Sequence, residues 1–242
     1  MKTYIGCSGF HYAHWKNKFY PGDLPKKKWL EYYAERFNTV EINNTFYKMP
    51  EAKDLKKWKE TTPASFRFTL KANRYFTHQK KLNIDDDFKD RFSSFTDAAS
   101  VMEEKLGCIL WQLPRNQHKD VSKIESLGRL LNNAGHHIIE FRHKSWFDEE
   151  VYKALADNGL GYCILSAPGN LPEETQATSK IAYLRLHGKK EWYRYHYSEK
   201  ELKSWEKRLK DLKNVAECYV YFNNDYEAHA TDNAKTLTSY FE

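Results

Sequence analysis

The 242 residues suit a single (β/α) barrel, a unit of about 200 to 250 residues, and no linker divides them. A formal net charge of +6, from 39 basic against 33 acidic residues, permits an anionic partner without demanding one. No apolar run approaches the roughly 20 residues of a membrane span, and the chain opens on a strand-like segment in place of an apolar leader, so the expectation is a cytoplasmic protein with no membrane partner.

From the start of the chain, short apolar runs alternate with helical periods. A first strand at 3–7 ends in Ser8-Gly9 and enters an aromatic loop at 10–15. Pro25 opens a helix with Trp29, Leu30, Tyr33 and Phe37 on one face. A strand at 39–43, a short helix carrying Leu55 and Trp58, and a strand at 66–70 follow. Phe88, Phe92, Phe95, Ala99 and Met102 recur three or four apart and predict a helix packed on a barrel wall. Next come a strand at 108–111, a helix with Val121, Ile124, Leu127 and Leu131, a strand at 137–141, a helix near 149–158 and a strand at 162–165. Residues 167–179 hold two prolines, a glycine and no apolar period, so the sixth crossover is expected to be a loop. A strand at 182–186 follows, and Ser198-x-x-Glu201 then forms a capping box ahead of a helix with Leu202, Trp205, Leu209 and Leu212. A strand at 218–222 and a last helix through Ala230, Ala234, Leu237 and Phe241 close the chain. The fold class is α/β: one TIM-like barrel over residues 1–242, with seven or eight parallel strands and one irregular side. Cys7, Cys108, Cys163 and Cys218 each lie in an apolar strand run and make no CxxC pair, which reads as small buried hydrophobes in a reducing compartment.

These strands stop on polar or ionisable residues. In a parallel barrel the C-terminal strand ends share one rim, and that rim is where such folds do chemistry. Glu41, Asn43, Lys71, Gln112, Glu140, Arg142, Arg185, His187 and Asn223 are therefore expected to line one pocket. Glu41 and Glu140 stand on strands far apart around the wall and are the candidate acid and base, with His187 a third catalytic candidate. The competing assignment is structural, pairing Glu41 with Lys71 on the adjacent strand and Glu140 with Arg142 or Arg185. The forks of Arg142 and Arg185 suit phosphate or carboxylate. Lys71 would serve as a Schiff-base amine if desolvated; a salt bridge to Glu41 that keeps it charged is the expectation. Asn43, Gln112, Asn223 and Asn224 add neutral donors and acceptors, and Tyr47 and Trp146 add flat rings, as a sugar or a nucleobase would require. A divalent metal on Glu41, Glu140, His187 and Asp225 is an alternative, opposed by the absence of HxxxH or HxD spacing and by the surrounding cations. No dinucleotide fingerprint or Walker motif calls for an organic cofactor.

Read together, Gly6-Cys7-Ser8-Gly9-Phe10, Val40-Glu41-x-Asn43-x-Thr45-Phe46-Tyr47, Leu110-x-Gln112-Leu113-Pro114, Glu140-Phe141-Arg142-His143-Lys144-Ser145-Trp146, Arg185-Leu186-His187-Gly188 and Phe222-Asn223-Asn224-Asp225 resemble the YecE-like family, a family of unknown function, over essentially the whole chain. The resemblance implies a TIM barrel and carries no established reaction. The chain departs from the family pattern at Cys7, where Thr is common, at Cys108 and Arg115, where prolines are common, and at Ala228, where Gly is common. The function expected is acid–base catalysis, without an organic cofactor, on a small polar or anionic substrate of phosphate or sugar type. The alternatives are a nucleic-acid-binding or processing protein that uses the aromatic segment 192–197, and a barrel that binds a ligand without turning it over.

Overall fold

The computed structural model of the chain describes residues 1–132 and 135–242. Eight strands close a barrel in chain order: β1 (Lys2–Ser8), β2 (Thr39–Ile42), β3 (Arg67–Lys71), β4 (Leu106–Gln112), β5 (His137–Glu140), β6 (Gly161–Ser166), β7 (Ile181–Leu186) and β8 (Glu217–Phe222). All neighbours are parallel, and β8 returns to β1 in register from Lys2 opposite Glu217 to Cys7 opposite Phe222. Around the barrel lie α1 (Trp29–Ala34), α2 (Asn44–Tyr47), α3 (Ala52–Thr61), α4 (Asp86–Ser100), α5 (Val121–Leu131), α6 (Glu149–Asp157), α7 (Glu199–Lys210) and α8 (His229–Thr238). The crossover from β6 to β7 carries no helix, as its prolines and missing period predict.

Strand alternation sorts the apolar side chains into two cores. Outward residues such as Val40, Ile42, Phe68, Leu70, Trp111, Ile139, Val220 and Phe222 pack against the helix faces of Leu55, Phe88, Phe95, Leu127, Trp205 and Leu237. Inward residues form a separate cluster rich in tyrosine: Tyr4, Leu110, Ile138, Leu165, Tyr183, Tyr219 and Tyr221. A tyrosine buried this deeply usually has a partner for its hydroxyl, and in this cluster Tyr4 is an exception, with none among the described residues. Tyr221 lies 2.6 Å from Thr39 Oγ1 and 2.8 Å from Thr69 Oγ1, and Tyr219 donates to Glu217 at 3.0 Å. The lower barrel is thus a packed solid, and polar character grows toward the C-terminal mouth.

The boundaries differ from the sequence reading where a segment is too short for a period to show. The helix opened by Pro25 is a 3₁₀ turn, Lys26–Lys28, running into α1, and Phe37 lies beyond its end yet stays buried. The last helix stops at Thr238, so Phe241 packs from the tail. Two rim elements carry no periodic signal, α2 after β2 and a π-helical turn, Tyr75–Gln79, after β3. The capping box of Ser198 and Glu201 is present at α7. All four cysteines are free and buried, and burial drives the Cys218 thiol up to about 12, so no thiolate forms there at neutral pH. Among the described residues no helix is long and apolar enough to cross a membrane.

Candidate active site at the barrel mouth

The inward rows of the barrel continue upward by steps of two residues. Tyr183 leads to Arg185 and His187, Thr39 to Glu41 and Asn43, and Ile138 to Glu140 and Arg142. Arg185 crosses the floor of the mouth. Its Nη2 donates to Glu41 Oε1 at 2.6 Å and to Ser8 Oγ at 3.1 Å, and its Nη1 donates to Glu140 Oε2. Glu41 also accepts from Ser8 Oγ and, at 2.6 Å, from the Tyr183 hydroxyl. Glu140 also accepts from Arg142 Nε and, at 2.7 Å, from Gln112 Nε2. Both carboxylates are fully buried and Arg185 is 1% exposed. Burial by itself would raise the Glu140 pKa, but Arg142 and Arg185 outweigh it and hold the carboxyl well below its usual range. Burial likewise opposes the charge on Arg185, and Glu140 and Glu41 overcome it.

His187 stands above this layer, fully buried. Its Nε2 lies 3.2 Å from Arg142 Nη2 and 3.4 Å from Arg185 Nη1; both are donors, so Nε2 is the acceptor nitrogen. The proton then sits on Nδ1, which is 3.0 Å from the Asn223 side-chain amide, whose oxygen and nitrogen are interchangeable in position. Burial and the two guanidiniums push the imidazole well below its ordinary pKa, so His187 is neutral. Trp192 from the β7–α7 loop covers it, with ring centroids 5.5 Å apart, and lies between Arg115 and Arg142 at 5.0 and 4.9 Å.

The pairing of Glu41 with Lys71 does not form. Register places Glu41 opposite Thr69, so Lys71 lies one inward step higher, while Arg185 reaches Glu41 from across the barrel. Lys71 Nζ donates to Gln112 Oε1 at 2.9 Å and lies 4.3 Å from the centre of the Phe46 ring, and no carboxylate among the described residues forms an ion pair with it. Burial, and then the like charge of Arg185, lower its pKa to about 7. The competing pairing of Glu140 is realised twice over, with both Arg142 and Arg185.

Over this floor opens a cavity of about 710 Å³. Asn43, Tyr47, Lys71, Gln112, Arg142, Arg185 and Asn223 line it, as expected from their strand ends. Glu41, Glu140 and His187 lie beneath the lining, tied to Arg142 and Arg185. Two expected ligand residues are elsewhere. Trp146 is fully buried, stacked on Phe141 at 4.7 Å, with its indole N–H bonded to the Gln117 carbonyl at 2.7 Å, so it belongs to the core. Asn224 is fully buried and bonds to the Tyr195 carbonyl and to Asn233, which fixes the β8–α8 connection.

Tyr12, Phe46, Arg74, His78, Tyr193 and Asp225 complete the lining. Phe46 comes from α2 and His78 from the π-helical turn, and Arg74 is the N-cap of that turn, so the two elements without periodicity position half of these. Arg74 is exposed and pairs with no acid among the described residues. Asp225 lies 3.5 Å from His14 through its carboxylate, and burial raises its pKa. Two glycines shape the entrances. Gly188, at φ +110°, turns the chain after β7 where a Cβ would strike the Glu191 carbonyl, and Gly9, at φ +99°, lets the Tyr12 ring close over β1. Among the described residues no group of three or more His, Cys, Asp and Glu side chains converges to hold a metal.

A family model described as protein of unknown function DUF72 matches residues 4–242. The UPF0759 protein YunF of Bacillus subtilis (strain 168) is 28% identical over 264 residues, covering 97% of this chain and 93% of its own. The UPF0759 protein YecE of Escherichia coli (strain K12) is 27% identical over 144 residues, 57% of this chain and 52% of its own. Among solved structures, a DUF72 family protein from Thermotoga maritima MSB8 superposes with a TM-score of 0.88 at 30% identity, covering 99% of this chain and 98% of that one. A D-psicose 3-epimerase superposes with a TM-score of 0.60 at 11% identity, which is likeness of fold alone. The YecE-like resemblance and the TIM barrel are both borne out.

Proposed function

Because the chain belongs to the DUF72 family, whose description specifies no reaction, we propose from the geometry that the barrel mouth is the active site of an enzyme that binds a small polar anion and acts on it by proton transfer. One observation carries this reading. Arg142, Arg74 and Lys71 face an open cavity in which Asp225 is the one acid among the described lining residues, whereas Glu41 and Glu140 are turned beneath it and neutralised by Arg185. A cavity of about 710 Å³ takes a ligand the size of a sugar phosphate. Among the described residues Arg142 binds inward through Nε and Nη2, which leaves Nη1 for an anion.

The division of labour differs from the one the sequence suggests. Glu41 and Glu140 accept several donors each and hold Arg185 and Arg142 in place; in this reading they are positioning residues. The proton-exchanging groups are Lys71, poised near neutrality, and Asp225, raised from the ordinary range, in the same cavity. The test is a thermal-shift panel of inorganic phosphate, sugar phosphates, sugar acids and neutral sugars on wild type and Arg142→Gln. The reading expects saturable stabilisation by the anions, weakened at least roughly tenfold in Arg142→Gln, as when a charge-assisted contact is lost. A response equal in both proteins, or no response to any anion, contradicts it. Binding of single-stranded oligonucleotides that collapses with added salt, without any small-anion response, would favour the nucleic-acid alternative.

A further inference from the structure

Two lysines are buried among the described residues, and they are built differently. Lys105, 5% exposed, gives its ammonium three oxygen acceptors: the carbonyls of Lys59 and Thr62, both at 2.6 Å, and the Thr62 hydroxyl at 3.2 Å. Three N–H donors meeting three acceptors is the arrangement of a structural ammonium, although burial lowers the Lys105 pKa from its ordinary value. Lys71, 8% exposed, has a single acceptor, Gln112 Oε1, a phenyl face on another side, and the cavity beyond. Nothing among the described residues matches its other two donors, and of the charges that act on it Arg185 has the largest effect, with Glu140 and Glu41 opposing it and Arg142 adding to it. That geometry fits a neutral amine, with one N–H held by Gln112 and a lone pair free toward the cavity.

We propose that Lys71 is a nucleophile that forms an iminium with the carbonyl carbon of a small hydroxyaldehyde or hydroxyketone bearing an anionic group. The proposal rests on the mouth being the anion site described above, and it names the substrate class. The Lys71 Nζ lone pair forms a C–N bond, the carbonyl π pair moves to oxygen, and that oxygen takes the proton that the attacking nitrogen gives up, which yields the neutral carbinolamine. Loss of water, with a further proton delivered to the departing hydroxyl, leaves the C=N⁺ iminium; nothing is oxidised or reduced. Asp225 lines the same cavity and is the carboxyl available to donate that proton. The iminium then acidifies the neighbouring C–H, which gives the proton transfer at this site its target, while Arg142 and Arg74 hold the anionic end. A lowered Lys71 pKa, to about 7, agrees with this state of the amine.

The test uses the wild-type chain and one variant, Gln112→Ala. The protein is incubated with dihydroxyacetone or with dihydroxyacetone phosphate, each with sodium borohydride, and adducts are located by peptide mass mapping. One reduced adduct is expected at Lys71, forming at least roughly tenfold faster than at Lys105 or at any exposed lysine, because a larger fraction of this amine is unprotonated at pH 7. Gln112→Ala should slow it without moving it to another lysine. Labelling spread over surface lysines with Lys71 unmodified overturns the proposal, even if inorganic phosphate still stabilises the protein and the anion reading stands. Labelling of Lys71 by dihydroxyacetone in a protein that ignores phosphate would do the reverse, leaving the nucleophile and removing the anion site.

Discussion

Arg185 holds two carboxylates that originate on β2 and β5, and the consequences of removing it follow from their burial. Arg185→Leu leaves Glu41 and Glu140 fully buried with only part of their compensation, and should destabilise the fold by about 3 kcal/mol or more. Adding Glu140→Gln should recover part of that loss and not all of it, because Glu41 retains only the Ser8 and Tyr183 hydroxyls. Thermal melts of the single and double variants check this; near-normal melting of Arg185→Leu would show that the carboxylates do not depend on it. Lys71 gives the opposite sign. Its amine is lowered from 10.5 to about 7 in the folded chain, so between those values the unfolded chain binds more protons and stability rises with pH. Below pH 7 both states are protonated and the full cost of the buried charge is present. Lys71→Met should therefore be the more stable protein at pH 6, by about 2 kcal/mol or more, with the difference shrinking as pH climbs toward 10. Chemical denaturation at several pH values measures it, and a constant difference would mean that Lys71 keeps an ordinary pKa. Which residues would meet at the mouth was legible in the sequence, since each is a polar residue closing an apolar run. Who pairs with whom was legible for Glu140 and not for Glu41, because Arg185 reaches Glu41 across the barrel, and sequence adjacency of strands favoured Lys71 instead.

The strands, the long helices and the missing crossover helix could be read from periodicity, because each is long enough to repeat its pattern. The rim is made of pieces that are not. One turn of α2 and five residues of π-helix set Phe46, Tyr47 and His78 around Lys71, and a single turn has no period to find. Trp146 misled for a related reason: it follows β5 in a motif rich in rim residues, but a 3₁₀ turn, Lys144–Trp146, rotates it back onto Phe141. At the start of α8 the backbone takes a conformation that suits glycine. Ala228 holds φ at +64°, with Glu227 at +55° beside it, a left-handed pair where a glycine would be unstrained. Ala228→Gly should raise stability by about 0.5 to 1 kcal/mol, the relief of strain exceeding the added freedom of the unfolded chain. A melting temperature that falls in this variant would show that the buried methyl group matters more than the backbone.

At the scale of the molecule, barrel closure turns separate strand ends into one site. Eight parallel strands bring Ser8, Glu41, Glu140 and Arg185 into hydrogen-bonded contact although as many as 177 residues separate Ser8 from Arg185 along the chain. The tyrosine-filled interior lies below that layer, and Arg142 and Arg185 keep Glu140 charged against the cost of burial. The net charge of +6 says little about this, since many surface lysines and arginines pair locally with neighbouring acids; the excess that matters is the local one at Arg142, Arg74 and Lys71. The basic groove between α4 and α5, with Lys89, Lys123 and Arg129, is the natural competitor for an anion. A crystal structure of the protein soaked in inorganic phosphate separates the two directly. The account predicts phosphate in the barrel mouth, within hydrogen-bonding distance of Arg142 and of Lys71 or Arg74. Phosphate confined to the α4–α5 groove, with the mouth holding only water, would contradict it.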